Sequence, residues 1–410
     1  MRGMRTSVLA GVIAALALGV AACGDDDSSG SGATSSGTTA SSAKKDTSPV
    51  KIGVASGTTG FVSFFDGPAL EGMKIAVADI NAKGGAAGRK LELVTADHKS
   101  DINQITPAAL KVIEQGAKVV FGSCDYDFAG PAARTAQSRG LLTMACAGSP
   151  VFGKQGIGPL AFNAYSGTPT EGAVMAEFAM KKGWKNVYTL TDSSLEYSKT
   201  VCQYFTEAFK AAGGTIKGND VFKNDDPSIQ SQVTKVKSSN PDAVVLCSYP
   251  PGGASAVKQI RDAGISAPIV GAGGFDGTYW LKGIGKLSDF YNPAYGTVGD
   301  EQDPARKAVF DAYQKDTGQP AASATYPLMG YAMVQTVAKA IEATGGSTDG
   351  KALAEALQKW QDEPLIVGKT SYTADCHVPL GRPLLVNQIQ DNKSSYLETI
   401  KPTSVPKSPC

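Results

Sequence analysis

The chain is 410 residues long, 42% hydrophobic and formally +1 at pH 7, so it carries no basic excess of the kind a nucleic-acid partner needs. Its only histidines are His98 and His377, and neither HExxH nor GxSxG occurs, which leaves histidine-based hydrolysis little to work with.

Arg2 and Arg5 precede an apolar run, Val8–Val20, and small residues then lead to Cys23. Residues 1–22 therefore read as a secretory signal. The run is too short to cross about 30 Å of hydrocarbon as a helix. The step Val20-Ala21-Ala22-Cys23 resembles the bacterial lipoprotein signal, in which cleavage leaves a lipidated cysteine at the new N-terminus. Acyl chains on Cys23, at about 0.8 kcal/mol per buried CH₂, would hold the chain to the outer face of the cell membrane. Residues 23–49 are then the lipidated cysteine and a flexible tether, because Gly, Ser, Thr, Ala and Asp bury too little to offset ordering. Six further cysteines stand at 124, 146, 202, 247, 376 and 410. An even set in an exported chain favours disulfides, and without a CxxC or Cys/His cluster no metal or cofactor is expected.

About 360 residues remain, more than one core usually serves, and two lobes are expected. The first series opens with strand Val50–Ser56, a helix from about Pro68 to Asn81, and strand Leu91–Ala96. A helix near Ile105–Gln115, strand Val119–Gly122, a helix near Ala129–Arg139 and strand Leu141–Ala145 complete it. The pattern restarts with helix Thr170–Lys182, strand Val187–Thr191, helix Ser198–Ala212 and strand Thr215–Phe222. Helix Ile229–Ser238, strand Ala243–Cys247, helix Ala254–Ala263 and strand Pro268–Gly271 follow. Helices near Pro304–Thr317, Tyr331–Thr344 and Gly350–Trp360 precede strand-like Pro364–Lys369, Leu384–Gln390 and Tyr396–Ile400. Two successive β-α-β series indicate an α/β fold of two doubly wound, mainly parallel sheets. In such sheets ligands sit beyond the carboxyl ends of the strands. That rule selects the loops Gly57–Gly67, Ser123–Phe128, Cys146–Phe152, Asp192–Tyr197, Ser248–Gly252 and Ala272–Thr278.

The stretches "FFDGPALEGMKIAVADINAKGGAAGRKLELVTAD" (64–97), "VVFGSCDYDFAGPAARTAQSRGLLTMACAGSP" (119–150) and "YPLMGYAMVQTVAKAIEATGG" (326–346) resemble the branched-chain amino-acid-binding family. Its members are solute-binding subunits of ABC importers with the type I periplasmic-binding-protein fold. The resemblance implies a monomeric binding protein, not an enzyme, that closes by a three-segment hinge and serves an ABC permease. It implies one lobe from 50–164 and 298–383 and another from 165–297 and 384–410, with crossings near Tyr165, Val298 and Leu384. The alternative is a ligand-sensing module for a signalling partner, since such folds also serve receptors.

The same resemblance assigns roles to the cleft loops. Phe65 falls where an aromatic packs the ligand's apolar part, and Asp66 is either a ligand contact or a helix cap. Tyr126 aligns with a hydroxyl that holds the ligand carboxylate. Asp127 is expected to cap a helix from Ala129, which leaves Asp125 to face a cationic group. In Cys146-Ala147-Gly148-Ser149, Gly148 stands where a hydroxyl residue is common, and Ser149 is its expected substitute. Tyr197 and Tyr249 match solute-facing tyrosines. Gly273 aligns with the acid that pairs with an amino acid's ammonium, and Asp276 lies three residues on. Either Asp276 swings in or the solute has no ammonium there, a reading that points to an amide, a carboxylate or an aromatic acid. Cys124 and Cys146 end neighbouring strands and are the favoured disulfide, with two buried free thiols as the alternative; Cys202 with Cys247 and Cys376 with Cys410 is one of the pairings open to the rest. The two GxxxxGK runs, 148–154 and 345–351, lack the following Ser or Thr of a phosphate loop and read as loops.

Overall fold

The computed structural model describes residues 46–410, so the signal, Cys23 and most of the tether lie outside the described residues. Strands β1 (Val50–Ser56), β2 (Leu91–Asp97), β3 (Val119–Phe121), β4 (Leu142–Ala145) and β5 (Ala161–Asn163) form one sheet in the order β2-β1-β3-β4-β5. Every neighbouring pair in it is parallel. Helices α1 (Ser63–Ala82), α2 (Ile105–Glu114) and α3 (Tyr126–Gln137) connect its strands. All residues of β3, β4 and β5 are buried, as expected for parallel strands covered on both faces.

After α4 (Gly167–Lys181) a second sheet begins. It takes β6 (Asn186–Asp192), β7 (Thr215–Phe222), β8 (Ala243–Cys247), β9 (Ile269–Gly271) and β10 (Phe290–Ala294), with α5 (Glu196–Ala211), α6 (Gln230–Ser239) and α7 (Gly252–Asp262) between them. The chain then returns to the first sheet's side through α8 (Pro304–Thr317), α9 (Thr325–Ala343), α10 (Gly350–Leu357) and a hairpin of β11 (Glu363–Leu365) and β12 (Gly368–Thr370). It crosses back to add β13 (Leu384–Gln390) and β14 (Lys393–Ile400), which close the second sheet as antiparallel strands in the order β14-β13-β10-β9-β8-β6-β7.

The chain thus passes between the sheets three times, and the passages are tied to one another. The Ser166 N–H donates to the Tyr295 hydroxyl at 2.8 Å, and that hydroxyl donates to Ser166 Oγ at 2.8 Å. The buried Arg382 donates to the Ala164 carbonyl at 2.9 Å and places its guanidinium 5.9 Å from the centre of the Tyr295 ring. Six cysteines meet as Cys124 with Cys146, Cys202 with Cys247 and Cys376 with Cys410, at Cα separations of 4.3, 5.5 and 4.7 Å.

Several boundaries differ from the sequence reading. Helix α1 starts at Ser63, with Pro68 inside it. A proline's φ is already helical; its cost is the bond an N–H at 68 would make to the Phe64 carbonyl and the crowding of that carbonyl, and α1 packs along α9 despite both. Helix α3 starts at Tyr126, with Asp125 at its N-cap. The run Pro364–Lys369 is not one strand but the β11–β12 hairpin, turned through Ile366 and Val367 into Gly368, whose φ of 101° suits glycine. Strand β10 went unread because FYNPA contains a proline. Its parallel pairing with β9 ends at Tyr291, so Pro293 lies beyond the parallel bonds its missing N–H would have weakened.

Helices α1 and α9 cross at two glycines. A Cβ on Gly72 would lie 1.9 Å from the Pro327 carbonyl oxygen, and one on Gly330 would lie 1.9 Å from that of Ala69. Both obstacles are backbone, so the helices themselves would have to part. Gly330→Ala is expected to cost roughly 1–3 kcal/mol or more, the usual cost of overpacking, read from the urea midpoint; an unchanged midpoint would show that the helices do not approach so closely.

Candidate functional site

The carboxyl ends of the two sheets face one small cavity of about 30 Å³. Phe65 of α1, Cys124 and Asp125 before α3, Cys146 and Gly148 after β4, and Thr325 and Tyr326 of α9 form one wall. Tyr165, Leu195, Tyr197, Tyr249, Gly273 and Gly274 form the other. Seven of the residues singled out in the sequence therefore meet here: Phe65, Asp125, Cys146, Gly148, Tyr197, Tyr249 and Gly273. Asp66, Tyr126, Ala147, Ser149 and Asp276 do not line the cavity.

Each of those five has another task. Asp66 is buried and gathers three donors: the Gly57 N–H at 2.7 Å, the Cys124 N–H at 2.8 Å and Ser123 Oγ at 3.0 Å. It ties together the loops after β1 and β3, and burial pushes its carboxyl up to about 6. Tyr126, as the first residue of α3, packs beside Ile157 against the Ala129–Phe152 cluster. The Ala147 carbonyl accepts from Asn163 Nδ2 at 2.6 Å, and Ser149 Oγ accepts the Val151 N–H at 3.3 Å. Asp276 accepts Ser323 Oγ at 2.9 Å and the Thr325 N–H at 2.7 Å. A carboxylate held by the second sheet thus satisfies a free N–H at the start of α9, on the other side of the cleft.

At the β3–α3 junction the cap expected of Asp127 falls to Asp125 instead. Asp125 Oδ1 caps α3 by accepting the Asp127 and Phe128 N–H groups at 2.9 and 3.4 Å. Asp127, two residues too far in to cap, reaches across to accept the Glu196 N–H of α5 at 3.3 Å. Burial, with the neighbouring Asp127 charge second, pushes the Asp125 carboxyl up to about 7.

The central side chain of the second wall, Glu171 of α4, was not among the expected residues. It is fully buried and accepts the Tyr165 hydroxyl at 2.6 Å, the Tyr197 hydroxyl at 2.7 Å and the Gly273 N–H at 2.6 Å. The Gly274 N–H donates to the Tyr197 oxygen at 2.9 Å. Burial raises the Glu171 pKa, and the three donors oppose that rise. A Cβ on Gly273 would sit 2.9 Å from the Tyr165 hydroxyl and 3.3 Å from Glu171 Oε1. An acid at 273 has no room; Glu171 brings one to the same spot from a different helix. Nothing local marks it, because a lone Glu between Thr170 and Gly172 reads as a surface position.

Across the cleft, the Tyr197 ring lies on Gly148, where a Cβ would meet Tyr197 Cδ2 at 2.3 Å. A hydroxyl residue at 148 would require that ring to move. Aromatics from both sides close the mouth: Phe61 and Phe65 lie with ring centres 5.9 and 6.3 Å from Tyr249, and Phe65 lies 5.1 Å from Tyr326.

Because the native Asp125 pKa is raised, the folded chain keeps a proton that the unfolded chain releases between about pH 4 and 7. Its contribution to stability is present at low pH and is lost as pH rises through that window. Asp125→Asn, which retains a capping side chain, is expected to raise the melting temperature by several degrees at pH 8 and barely at pH 4. An equal effect at both pH values would contradict the buried, proton-linked carboxyl.

Residues 49–394 match the family described as periplasmic binding protein. The chain is 27% identical over 327 residues to the Leu/Ile/Val-binding protein BraC3 of Rhizobium johnstonii, covering 79% of this chain and 87% of that one. It superposes on the branched-chain amino acid transporter substrate-binding protein LivJ of Streptococcus pneumoniae, solved in complex with isoleucine, with a TM-score of 0.75 and 25% identity. That match covers 86% of this chain and all of the other. A solute-binding protein of an ABC transporter from Rhodopseudomonas palustris, solved with benzoate, matches with a TM-score of 0.73 over 88% of this chain and 99% of the other. At 20% identity that likeness concerns the fold alone.

Proposed function

Because the chain belongs to the periplasmic binding protein family, we propose that it is the extracytoplasmic solute receptor of an ABC importer, binding a small polar solute between two lobes and presenting it to the permease. The observation that carries this reading is the cavity itself, walled from two sheets that the chain crosses three times. Hinge closure is an established motion of such proteins. The lobes comprise 50–164 with 298–383, and 165–297 with 384–410. Their relatives' names tie two of them to branched-chain amino acids, which keeps amino acids, amides and carboxylates among the first solutes to try.

The receptor does no chemistry on its solute. It works by preferring the solute when shut, and moving a population from 1:99 to 99:1 takes about 5.5 kcal/mol of that preference. With the walls in contact the cavity holds about 30 Å³, so admission requires the lobes to part. The contacts that must break include Tyr197 on Gly148, Asp276 on Ser323 and Thr325, Asp127 on Glu196, and the Phe61 and Phe65 rings against Tyr249.

A thermal-shift screen of amino acids, amides, urea, organic acids and amines, followed by titration calorimetry, is expected to find a saturable one-to-one binder that is recovered unchanged. Steady consumption of the solute would replace the receptor reading with an enzymatic one.

Cys23 carries the lipid anchor in this proposal, and the six body cysteines form the three disulfides that their Cα separations permit. Intact-mass spectrometry of protein extracted from membranes reads both features. Expected are a chain beginning at Cys23 with added acyl mass, no alkylation without reductant, and six alkyl groups after reduction. Retention of residues 1–22, or free thiols before reduction, would contradict it.

A further inference from the structure

The cavity's hydrogen-bond polarity names a class of solute more narrowly than the fold does, and the inference rests on the receptor reading above. At the β3–α3 junction, where a helix N-terminus would ordinarily receive an anion, the protein's own carboxylates already occupy the donors. Asp66 takes the Ser123 hydroxyl and the Cys124 N–H, and Asp125 Oδ1 takes the Asp127 and Phe128 N–H groups. On the opposite wall the phenolic protons of Tyr165 and Tyr197 both point to Glu171. Those hydroxyls therefore turn only lone pairs toward anything else, and Tyr197 has spent one of its own on the Gly274 N–H.

What remains is acceptors, aromatic faces and the neutral hydroxyls of Tyr249, Thr325 and Tyr326, which carry no hydrogen bond among the described residues and can donate or accept. Asp125 Oδ2 carries no hydrogen bond among the described residues, while Asp125 lines the cavity and is 5% exposed. No Lys, Arg or His stands among the lining residues. An anionic solute would share this space with a buried carboxyl and no compensating cation. A cation would answer that carboxyl and lie against ring faces, which attract positive charge.

We propose that the solute is an organic cation, an amine or quaternary ammonium with a compact apolar part, whose positive group sits against Asp125 within the Phe65, Tyr197, Tyr249 and Tyr326 rings, and which carries no free carboxylate. The Asp125 carboxylate and the tyrosine oxygens accept its N–H groups; a quaternary head uses the rings and the charge alone. This reverses the expectation of a carboxylate solute.

The test uses the mature protein and calorimetric titration with choline and phenethylamine as cations, isovalerate and benzoate as anions, and leucine as the zwitterion. Saturable binding of at least one cation is expected, with both anions silent. Asp125→Asn, checked for folding by circular dichroism, is expected to weaken that cation at least 30-fold, and Glu92→Gln, exposed on β2 and outside the cavity, less than threefold. Binding of leucine, or of an acid held by the Cys146–Ser149 backbone, with both cations silent would overturn the cation assignment and leave the receptor reading standing. Equal cation affinity in Asp125→Asn would also overturn it. Silence of all five probes would overturn the cation assignment, and the receptor reading would rest on the wider solute screen.

Discussion

One wall of the cavity between the two sheets depends on a single buried carboxylate. Glu171 has no cation beside it, and burying such a charge is costly unless its oxygens are saturated. Three short charge-assisted hydrogen bonds supply that saturation. They also fix the hinge-side Tyr165, the α5 residue Tyr197 and the loop at Gly273 relative to one another. Tyr197 then sets what can approach Gly148 on the other wall. Placement of the second wall's polar surface thus follows from one side chain on α4, and in the proposed receptor a solute would meet groups that are already oriented.

The opposite wall uses the same device with a different result. Asp66 gathers the loops after β1 and β3, and Asp125 caps α3, so donors that would suit an anion are consumed in holding the loops. Asp125 is costly where it stands, since burial and Asp127 both disfavour its charge. A group that lowers stability at neutral pH and lines a cavity is better explained by binding than by folding. The lobes meet through a small number of polar contacts and aromatic edges, and the three crossings are braced through Ser166, Tyr295 and Arg382. In the proposed receptor, opening turns on these three crossings.

Much of this was legible in the sequence, and what was not has identifiable causes. The alternation of apolar runs with helical patterns located both sheets, and the rule about strand ends brought Phe65, Asp125, Gly148, Tyr197 and Tyr249 to one place. The family resemblance agreed with the later match over residues 49–394. Glu171 was hidden because its partners lie 6, 26 and 102 residues away in the chain, and no local pattern encodes such a meeting. Asp276 misled for a related reason: it stood in the expected loop, but the free N–H at the start of α9 lies nearer than the cavity. The role of Asp127 was displaced when α3 began three residues earlier than its alanines suggest, which moved the cap to Asp125.

The central claim is that two lobes part and close around a solute. Pulsed electron paramagnetic resonance between spin labels at Lys111 on α2 and Lys237 on α6, both exposed, measures that motion directly. The account predicts a broad or two-peaked distance distribution in the free protein that collapses to one narrow, altered peak when the bound solute saturates the cavity. A single distance, identical with and without saturating solute, would contradict it.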